Sequence, residues 1–294
     1  MRPTMKEHML LAEKSWVKDK EKRQQVIASA FRGNAGNMSL FPYKEGKWDF
    51  RAPYTIWDIT PPSWSPPLEM ERIGRLGDGG KWTCGMSRYS ATLKESQKCI
   101  VYSFGVEDDS SFENEFLSRV EAAEVWAYDF SVSDFGTQLE PGNRNRAHFT
   151  QAGIAGKTTS PDAQPPFYSI ADLMKQNGHE YIDILKMDIE GSEFEALDGL
   201  SEAFPASQGL ELPIGQLLIE VHMKTHDTAQ WYLEWWDRLA ARGLRPVWTE
   251  PNVLGIAYNM VNGDPTIALE YTFLNVQDRR SRIFKGTTLD VVLA

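Results

Sequence analysis

Short apolar runs alternate with amphipathic segments along the chain from about residue 68 onward. Seven runs have the length and the β-branched or aromatic content of strands: KCIVYSFG, EVWAYDF, a weaker RAHFTQAGIAG, YIDILKMDIEG, GQLLIEVHM, LRPVWTE and ALEYTFLNV. The segments between them have helical spacing, several with serine starts and glycine stops. Strands that alternate with helices predict an α/β fold with a Rossmann-like, doubly wound, mostly parallel seven-stranded sheet.

The first part of the chain has a different pattern. Residues 6–32 are charged and helix-prone, and Leu10, Val17 and Phe31 form a loose apolar stripe. The next stretch, GNAGNMSLFPYKEGKWDFRAPYTIWDITPPSWSPP, shows no period and is rich in glycine, proline and aromatic residues. Its three tryptophans favour an ordered wrap or lid over a disordered linker.

We therefore expect two parts that meet at this change of pattern. Residues 1–67 form an N-terminal helix and an aromatic, proline-rich wrap, and residues 68–294 form the Rossmann-like domain. The wrap, residues 35–67, is expected to fold over the crevice of the domain and to shape a substrate pocket. A chain of 294 residues with 41% hydrophobic content is long enough for one large domain and this extension.

Charge and cysteine content narrow the class of protein. The chain has 31 basic and 41 acidic side chains, a net charge of −10, which argues against nucleic acid as the main partner. No apolar run approaches the ~20 residues that a membrane span needs. Cys84 and Cys99 do not make a disulfide framework, although a bridge between them stays open, and a reducing compartment is the simpler interpretation. We expect a soluble, cytoplasmic protein, or a lumenal or secreted one if the chain is a truncated form.

Acidic residues follow the fourth predicted strand, in YIDILKMDIEGSEFEAL. Ligands of doubly wound sheets bind beyond the carboxyl ends of the strands, at the point where the winding switches direction. Asp188 and Glu190 are two positions apart and share a face if the strand persists, and the fifth strand ends with Glu220 and His222 at the same spacing. Because neighbouring strands lie ~4.8 Å apart, these four side chains are expected to converge at one rim.

The first strand supplies the other half of a cofactor site. Gly105 ends it, and the helix that follows favours a negative group at its N-terminus. Asp129 closes the second strand 24 positions later (129 − 105), near the spacing at which dinucleotide folds place an acid on ribose hydroxyls. The loop GVEDDS lacks the G-x-G-x-x-G pattern, and its three acids would repel a pyrophosphate. A nucleoside that carries a cation, S-adenosylmethionine, therefore fits better than NAD.

Several motifs resemble the FkbM-type S-adenosylmethionine-dependent methyltransferases. YIDILKMDIEGSEFEAL resembles that family's strand-four signature, a Leu-Lys-x-Asp-x-Glu-Gly run followed by a helix. GDGGKWTCG, CIVYSFGVEDDSSFENEF, VWAYDFS and LLIEVH resemble more closely a eukaryotic branch of methyltransferase-like proteins within it. The resemblance covers roughly residues 70–276 and implies a class I methyltransferase fold.

The resemblance also implies roles for individual residues. The methionine part of the cofactor would lie against the loop after the first strand, the ribose against the acid that ends the second strand, and the adenine between residues after the second and third strands. Asp188 would stand nearest the transferring methyl group. The cofactor-binding residues implied are Gly105, Ser110, Ser111, Phe112, Asp129, Phe130, Gly153, Ile154 and Asp188.

The residues at the rim admit more than one role. Asp188 and Glu190 could instead cap the helix that begins near Ser192. Lys186 lies in an otherwise apolar strand, where a structural pair with Asp188 or Glu190 is the default and a role in lowering a substrate's pKa is the alternative. His222, with an ordinary pKa near 6.5, could be a general base or a hydrogen-bonded core histidine.

A divalent metal is a further possibility, since Asp188, Glu220 and His222 form an oxygen-rich set compatible with Mg²⁺ or Mn²⁺. We interpret the chain as an S-adenosylmethionine-dependent methyltransferase that methylates an oxygen of a small-molecule or glycan-like acceptor by in-line transfer. One rival is a cofactor-binding scaffold that has lost turnover. The other is an NAD(P)-dependent oxidoreductase, disfavoured because the dense glycine cluster GDGG precedes the first strand.

Overall fold

A computed structural model describes residues 3–41, 43–44, 47–48, 54–91, 98–159, 163–224, 227–253, 267–285 and 287. In these ranges the strands, labelled in chain order, are β1 Tyr43–Lys44, β2 Lys47–Trp48, β3 Met70–Ile73, β4 Lys81–Cys84, β5 Cys99–Phe104, β6 Ala123–Asp129, β7 Ala147–Gln151, β8 Gly153–Ile154, β9 Phe167–Tyr168, β10 Ile182–Met187, β11 Ile214–Met223, β12 Leu244–Pro251 and β13 Ile267–Asn275. The helices are α1 Met5–Ala30, α2 Met86–Tyr89, α3 Ser111–Arg119, α4 Ile170–Asn177, α5 Glu193–Ala203 and α6 Ala229–Ala241.

The central sheet has seven strands in the order β12-β13-β11-β10-β5-β6-β7. Strands β7, β6, β5, β10 and β11 are parallel to their neighbours, whereas β13 runs antiparallel between β11 and β12. The chain winds from β5 outward to β7 and then crosses to β10 and β11, so the switch point lies between β5 and β10. This sheet confirms the predicted α/β, mostly parallel fold and all seven predicted strands.

The centre of the sheet explains why the sequence pattern predicted it well. Every residue of β5, β10 and β11 is buried, because helices and connecting segments cover both faces. Fully covered strands are read in the sequence as continuous apolar runs. α6 lies on one face, where Trp235 is fully buried and Trp236 packs edge-on against Tyr271 and Phe273 of β13.

The predicted N-terminal helix is present as α1, but its apolar stripe was placed one position off. Thr4 caps the N-terminus of the helix: its side chain accepts a hydrogen bond from the Glu7 backbone, and the Glu7 side chain accepts one from the Thr4 backbone. Its buried positions are Met9, Ala12, Trp16 and Arg23, whereas Leu10 and Val17 are 45% and 42% exposed. The stripe prediction was wrong for Leu10 and Val17, because α1 has little amphipathic contrast, whereas Phe31 packs against the core as predicted.

The N-terminal segment is tied to the antiparallel side of the sheet. The carboxylate of Glu13 on α1 accepts hydrogen bonds from the Arg245 guanidinium of β12 and from the indole N–H of Trp64. Trp57 packs edge-on against Tyr232 of α6, and Thr60 accepts a hydrogen bond from the Tyr271 hydroxyl at its carbonyl oxygen, 2.8 Å away. These contacts make the segment part of the core.

Two further sequence expectations concern the thiols and the membrane. Cys84 and Cys99 are both buried free thiols, so the bridge that the sequence left open does not form. Burial raises the pKa of the Cys84 thiol to about 12, which keeps it protonated and chemically inert. Of the helices formed by the described residues, none combines the length and the apolar character that a bilayer span requires.

Candidate active site at the carboxyl edge of the sheet

A cavity of about 240 Å³ opens at the carboxyl ends of β5, β6, β10 and β11, at the switch point. Its walls come from the loops that follow these strands, and the loop between β3 and β4 contributes Arg75, Asp78 and Gly79. None of the described residues in 35–67 lines it, and residues 42, 45–46 and 49–53 of the predicted wrap lie outside the described residues. The described part of the wrap therefore supports the core and does not cover the crevice.

Gly105 is the position where the β5 loop meets the end of β10. Its φ is +72°, and a Cβ built there would lie 1.6 Å from the carbonyl oxygen of Asp188. The backbone N–H of Asp188 donates to the carbonyl of Phe104 at 3.0 Å, which fixes the same contact from the other side. Only glycine allows this approach, and Gly105 lines the cavity as predicted from its place after the first strand.

Asp129, at the end of β6, holds the β5 loop in place. One carboxylate oxygen accepts the backbone N–H groups of Val106 and Glu107, each at 2.9 Å, and the other accepts both the N–H and the hydroxyl of Ser131 at 2.7 Å. Burial would raise the pKa of Asp129, but hydrogen bonds from Ser131, Glu107 and Val106 keep it below its ordinary value. The residue lines the cavity, and its predicted contact with ribose stays a prediction.

An aromatic wall forms the side of the cavity beyond β6. Phe130 is 53% exposed and its ring lies 5.7 Å from that of Phe167. A Cβ on Gly153 would lie 2.2 Å from the Phe167 ring, so glycine lets β8 pair with β9 and bring that ring to the cavity. Ile154 is buried beside it, and all four residues line the cavity. Phe130, Gly153 and Ile154 therefore line the cavity, and their predicted contacts with adenine stay a prediction.

Ser110, Ser111 and Phe112 do not line the cavity, in contrast to the sequence interpretation. The Ser110 hydroxyl accepts the Gly136 N–H at 2.8 Å, and the Ser111 hydroxyl accepts the Arg75 N–H at 2.9 Å. Phe112 is fully buried. These residues brace the surrounding loops, because α3 begins at Ser111 and carries them away from the switch point.

Lys81 of β4 lies at the centre of the acidic rim and was not predicted from the sequence. Its ammonium is 1% exposed and lies 3.0 Å from Asp188 and 3.6 Å from Glu220, and it also contacts Glu270 of β13. Burial lowers the pKa of Lys81, but the charges of Asp188, Glu270 and Glu220 outweigh it and hold the pKa well above its ordinary value. The only signal was its place in GDGGKWTCG, since nothing local shows that this hairpin packs under the rim.

Asp188 and Glu220, which both lie close to the Lys81 ammonium, differ in their pKa. Burial would raise the pKa of Asp188, but the charges of Lys81, His222 and Lys186 depress it far below its usual range. Burial together with the charges of Asp188 and Glu270 raises the pKa of Glu220 to about 9. At neutral pH Asp188 is therefore ionised and Glu220 carries a proton, a division of roles that is common at functional sites.

His222 is a buried, hydrogen-bonded cation. Its Nδ1 lies 2.9 Å from the carboxylate of Glu193, and its Nε2 lies 3.8 Å from Asp188 and 3.7 Å from Glu190. Burial lowers the pKa of His222, but the hydrogen bond and charge of Glu193, with Asp188 and Glu220, raise it to about 10. A protonated imidazole has no lone pair to accept a proton, so the raised pKa of His222 favours the core-histidine alternative. Its role as a general base stays a prediction.

The predicted partners of Lys186 and the predicted cap at Glu190 are both corrected. Lys186 is buried and lies 3.2 Å from Glu113 of α3, and it donates to the carbonyl of Gly105 at 3.1 Å. Glu190 is 82% exposed at the rim with a φ of +56°. Glu193 reaches back instead, accepting the backbone N–H of Ile189 at 3.0 Å. Asp188 lies beyond the end of β10 and pairs with Lys81, so it is not a helix cap either.

Among the residues that the structure describes, two groups of three side chains could offer ligand atoms to a metal ion, and the predicted set is split between them. Asp188 joins Glu190 and His222 in one group, and Asp78 and Glu220 in the other. The first group needs an unprotonated His222, and the second shares both Asp188 and Glu220 with the ammonium of Lys81. Metal ligands must be deprotonated, so neither donor set fits a divalent ion well while Lys81 and His222 carry their charges.

The fold and this cavity define a Rossmann-like protein with an acidic site at the switch point. A family model described as a methyltransferase domain matches residues 39–256, and the chain belongs to that family. No curated protein matches the sequence at a significant level.

Solved structures show distant similarity. The O-methyltransferase StiE, residues 942–1257, is 15% identical with a TM-score of 0.36, over 71% of this chain and 81% of that one. The Methanococcus jannaschii fibrillarin pre-rRNA processing protein is 10% identical with a TM-score of 0.35, over 70% and 82%. The N-terminal domain of human METTL16 in complex with SAH is 10% identical with a TM-score of 0.32, over 62% and 63%. At these scores, family membership depends on the sequence match.

Proposed function

We propose that the protein is an S-adenosylmethionine-dependent methyltransferase of the FkbM-like type, acting on a hydroxyl oxygen of a small-molecule or glycan-like acceptor. The observation that carries the proposal is the cavity at the switch point. It is lined by the loop that turns at Gly105 after β5, by an aromatic wall and by the ionised Asp188. Membership in a methyltransferase domain family supports the reaction class. The METTL16 neighbour, solved with SAH, is a distant protein that binds the product of this cofactor.

The surplus of acid at the cavity supports a cationic cofactor. Burial raises the pKa of Glu107, and the charges of Asp108, Asp129, Asp188 and Glu190 raise it further, which means that these carboxylates crowd one another. A sulfonium and an ammonium group would relieve this repulsion, whereas the pyrophosphate of NAD would increase it. The same crowding argues against the oxidoreductase alternative.

The proposed cofactor seat follows the cavity walls. The adenine would lie against Phe130, Phe167 and Gly153, and the methionine part against the loop that begins at Gly105. Asp129 would accept the ribose hydroxyls with the oxygen that now accepts Ser131, so that a ligand contact replaces a contact within the loop. Its other oxygen would continue to hold the β5 loop.

Methyl transfer in this site would be chiefly a matter of position. The acceptor oxygen attacks the methyl carbon, the carbon–sulfur bond breaks with its electron pair on sulfur, and S-adenosylhomocysteine forms. Attack by a neutral hydroxyl gives a protonated ether, a much stronger acid than a carboxylic acid, so the carboxylate of Asp188 or Glu190 can take the proton. We assign His222 and Lys81 the role of holding Asp188 ionised and oriented, and Lys186 that of fixing the Gly105 carbonyl.

The test is calorimetric titration of the purified protein with S-adenosylmethionine, S-adenosylhomocysteine and NAD. We expect micromolar binding of the two sulfur nucleosides, no binding of NAD, and loss of binding in Asp129→Ala. Asp134→Ala is the matched control, since this acid is exposed in the same loop and pairs with Arg144 outside the cavity. A folded protein that binds neither sulfur nucleoside would overturn the proposal.

The scaffold alternative and the metal are separated by turnover. A scaffold would bind S-adenosylmethionine but would form no S-adenosylhomocysteine with any acceptor in a screen of hydroxylated compounds. Each assay is run with Mg²⁺ and with a chelator. Because neither acidic group fits a divalent ion well, we expect equal rates in both. A rate that depends on Mg²⁺ would instead favour the metal that the sequence left open.

A further inference from the structure

A second concave surface lies at the opposite edge of the sheet, where β5, β6 and β10 begin. It encloses about 1300 Å³, and its walls include Lys98 and Ile100 of the β5 start, Glu124 of β6 and the turn after α4. We call it the amino-edge groove. Its cationic side chains come from three separate stretches of the sequence and are Arg88, Lys98, Arg279, Arg280, Arg282 and Lys285.

Half of these cations are already neutralised. Lys98 lies 2.6 Å from Glu124, and Arg282 pairs with Asp183 and also donates to the carbonyl of Lys98. Arg280 lies 3.1 Å from Asp278, which sits behind the groove and is fully buried. These pairs account for two of the three acids that line the groove, Glu124 and Asp183, and leave Glu180 as the third.

The other half have no such partner. Within the part of the chain that the structure describes, the side chains of Arg88, Arg279 and Lys285 form no salt bridge, and Arg279 and Lys285 are exposed. The Nε of Arg88 is buried and has no hydrogen-bond acceptor among those residues. A buried donor without a partner is unfavourable by about 1–3 kcal/mol and calls for an explanation such as a bound anion. Arg88 also lies close enough to Glu69 for its charge to lower the pKa of that carboxyl group. Counted against Glu180 and Glu69, the three cations still leave the groove with an excess of positive charge.

We propose that the amino-edge groove is a binding site for a compact oligophosphate, a ligand that carries at least two phosphate groups. Guanidinium groups match phosphate oxygens with two parallel hydrogen bonds, and a lysine adds a mobile point charge. Arg88 lines the groove with a partly buried guanidinium, and Arg279 and Lys285 supply exposed charges on the wall formed after β13. The ring of Tyr181, on which the Arg280 guanidinium stacks at 4.5 Å, lines the same groove.

A compact ligand fits this surface better than an extended polyanion. Arg88, Arg279 and Lys285 line one groove in a chain whose net charge is −10. A nucleic acid or a long acidic peptide would extend beyond the groove onto surface that is negative on average, where it would be repelled. An oligophosphate concentrates its charge in a small volume, and the three side chains line one groove that could contain it. The site is independent of methyl transfer, because it lies at the opposite edge of the sheet from the candidate active site.

The experiment is calorimetric titration of the full chain with tripolyphosphate in a buffer of low ionic strength. We expect saturable binding, reduced about tenfold or more in the double variant Arg279→Ala/Lys285→Ala. The matched control is Lys18→Ala/Lys22→Ala, which removes the same charge from the distant shallow surface on α1 and should bind as the parent does. All four side chains belong to exposed or peripheral positions, so the variants are expected to fold.

Two further arms identify the source and the class of ligand. Flotation with phosphatidylcholine vesicles that carry a bisphosphorylated inositol lipid asks whether the phosphates belong to a lipid headgroup. Retention on these vesicles assigns the ligand to a headgroup, and failure to bind them assigns it to a free oligophosphate. The proposal is overturned if the parent does not bind tripolyphosphate, if both double variants lose binding equally, or if hexaglutamate binds more tightly than tripolyphosphate.

Discussion

The two edges of one sheet differ in the sign of their charge. The cavity at the carboxyl edge is lined by eight acidic side chains and two Lys or Arg side chains, whereas the amino-edge groove is lined by six Lys or Arg side chains and three acids. Each edge is thus suited to a ligand of opposite charge, a sulfonium nucleoside at one and a phosphate compound at the other. The net charge of −10 is a sum over both edges. It therefore argues against an extended polyanion as a binding partner, but not against a small anionic ligand.

The acids of the two edges are also compensated in different ways. At the groove Lys98, Arg280 and Arg282 each pair with one acid, and Arg279 and Lys285 are exposed. At the cavity a single buried ammonium, that of Lys81, contacts three carboxyl groups. Removing one partner of a buried ion pair leaves an uncompensated charge, whereas surface pairs contribute little. Substitution of the buried cation at the cavity should therefore lower the free energy of unfolding far more than substitution of an exposed cation at the groove.

The largest effect is expected for Lys81→Met, which removes the buried ammonium but keeps a side chain of similar length. Asp188, Glu220 and Glu270 would lose their shared cation, and the free energy of unfolding should fall by about 3–5 kcal/mol. Urea unfolding at neutral pH measures this. Lys157→Met is the control, because that side chain is 86% exposed with a partner 3.9 Å away, and it should change stability by about 0.5 kcal/mol at most. Equal stability of both variants would show that Lys81 does not neutralise the rim.

The next prediction compares two glycine substitutions, one that strains only the backbone and one that also creates a steric overlap. Gly105 and Gly178 have the same φ of +72°, but a Cβ at Gly105 would overlap the Asp188 carbonyl, and at Gly178, on the groove side, it would meet nothing. Gly178→Ala should lower the free energy of unfolding by about 1 kcal/mol, from the left-handed backbone alone. Gly105→Ala should lower it by about 3 kcal/mol or more and abolish S-adenosylmethionine binding. Similar losses in urea unfolding would contradict the close contact between the β5 loop and β10.

These glycines show how far the sequence could predict the structure. Gly105, Asp129 and Asp188 were found because each stands at the end of a buried strand, and the ligand edge of a parallel sheet follows from strand direction. Lys81 was missed because the hairpin β3–β4 reaches the rim through tertiary packing that no local pattern records. The protonation of His222 depends on Glu193 of α5, which is distant in the sequence. The groove is formed by residues 88, 98 and 279–285, which are also far apart in the sequence. Neither feature could therefore be predicted from a local sequence pattern.

The pH dependence of the free energy of unfolding should come from ionisable groups at the cavity and not from those at the groove. The pKa of His222 rises from 6.5 to about 10 on folding, so its contribution is complete below pH 6.5 and is lost as the pH rises through about 10. The raised pKa of Glu220, about 9 against an ordinary 4.5, acts in the same direction, since deprotonation in the folded state is unfavourable. The free energy of unfolding should fall by about 3 kcal/mol or more between neutral pH and about pH 10. His222→Gln should flatten this slope, and an unchanged slope would contradict a cationic His222.

The smallest expected effect is that of salt on the two binding reactions. Cations of the groove are largely exposed, so tripolyphosphate binding should weaken about tenfold between about 50 and about 200 mM salt. S-adenosylmethionine would bind in a partly buried cavity and carries little net charge, so its affinity should change by about twofold at most over the same range. Titrations of the parent at both salt concentrations measure the difference, and Arg279→Ala/Lys285→Ala should reduce the salt dependence of the first reaction alone. Equal salt dependence of the two reactions would mean that both ligands respond to the electrostatic potential of the protein as a whole. The two edges of the sheet would then not act as electrostatically separate sites.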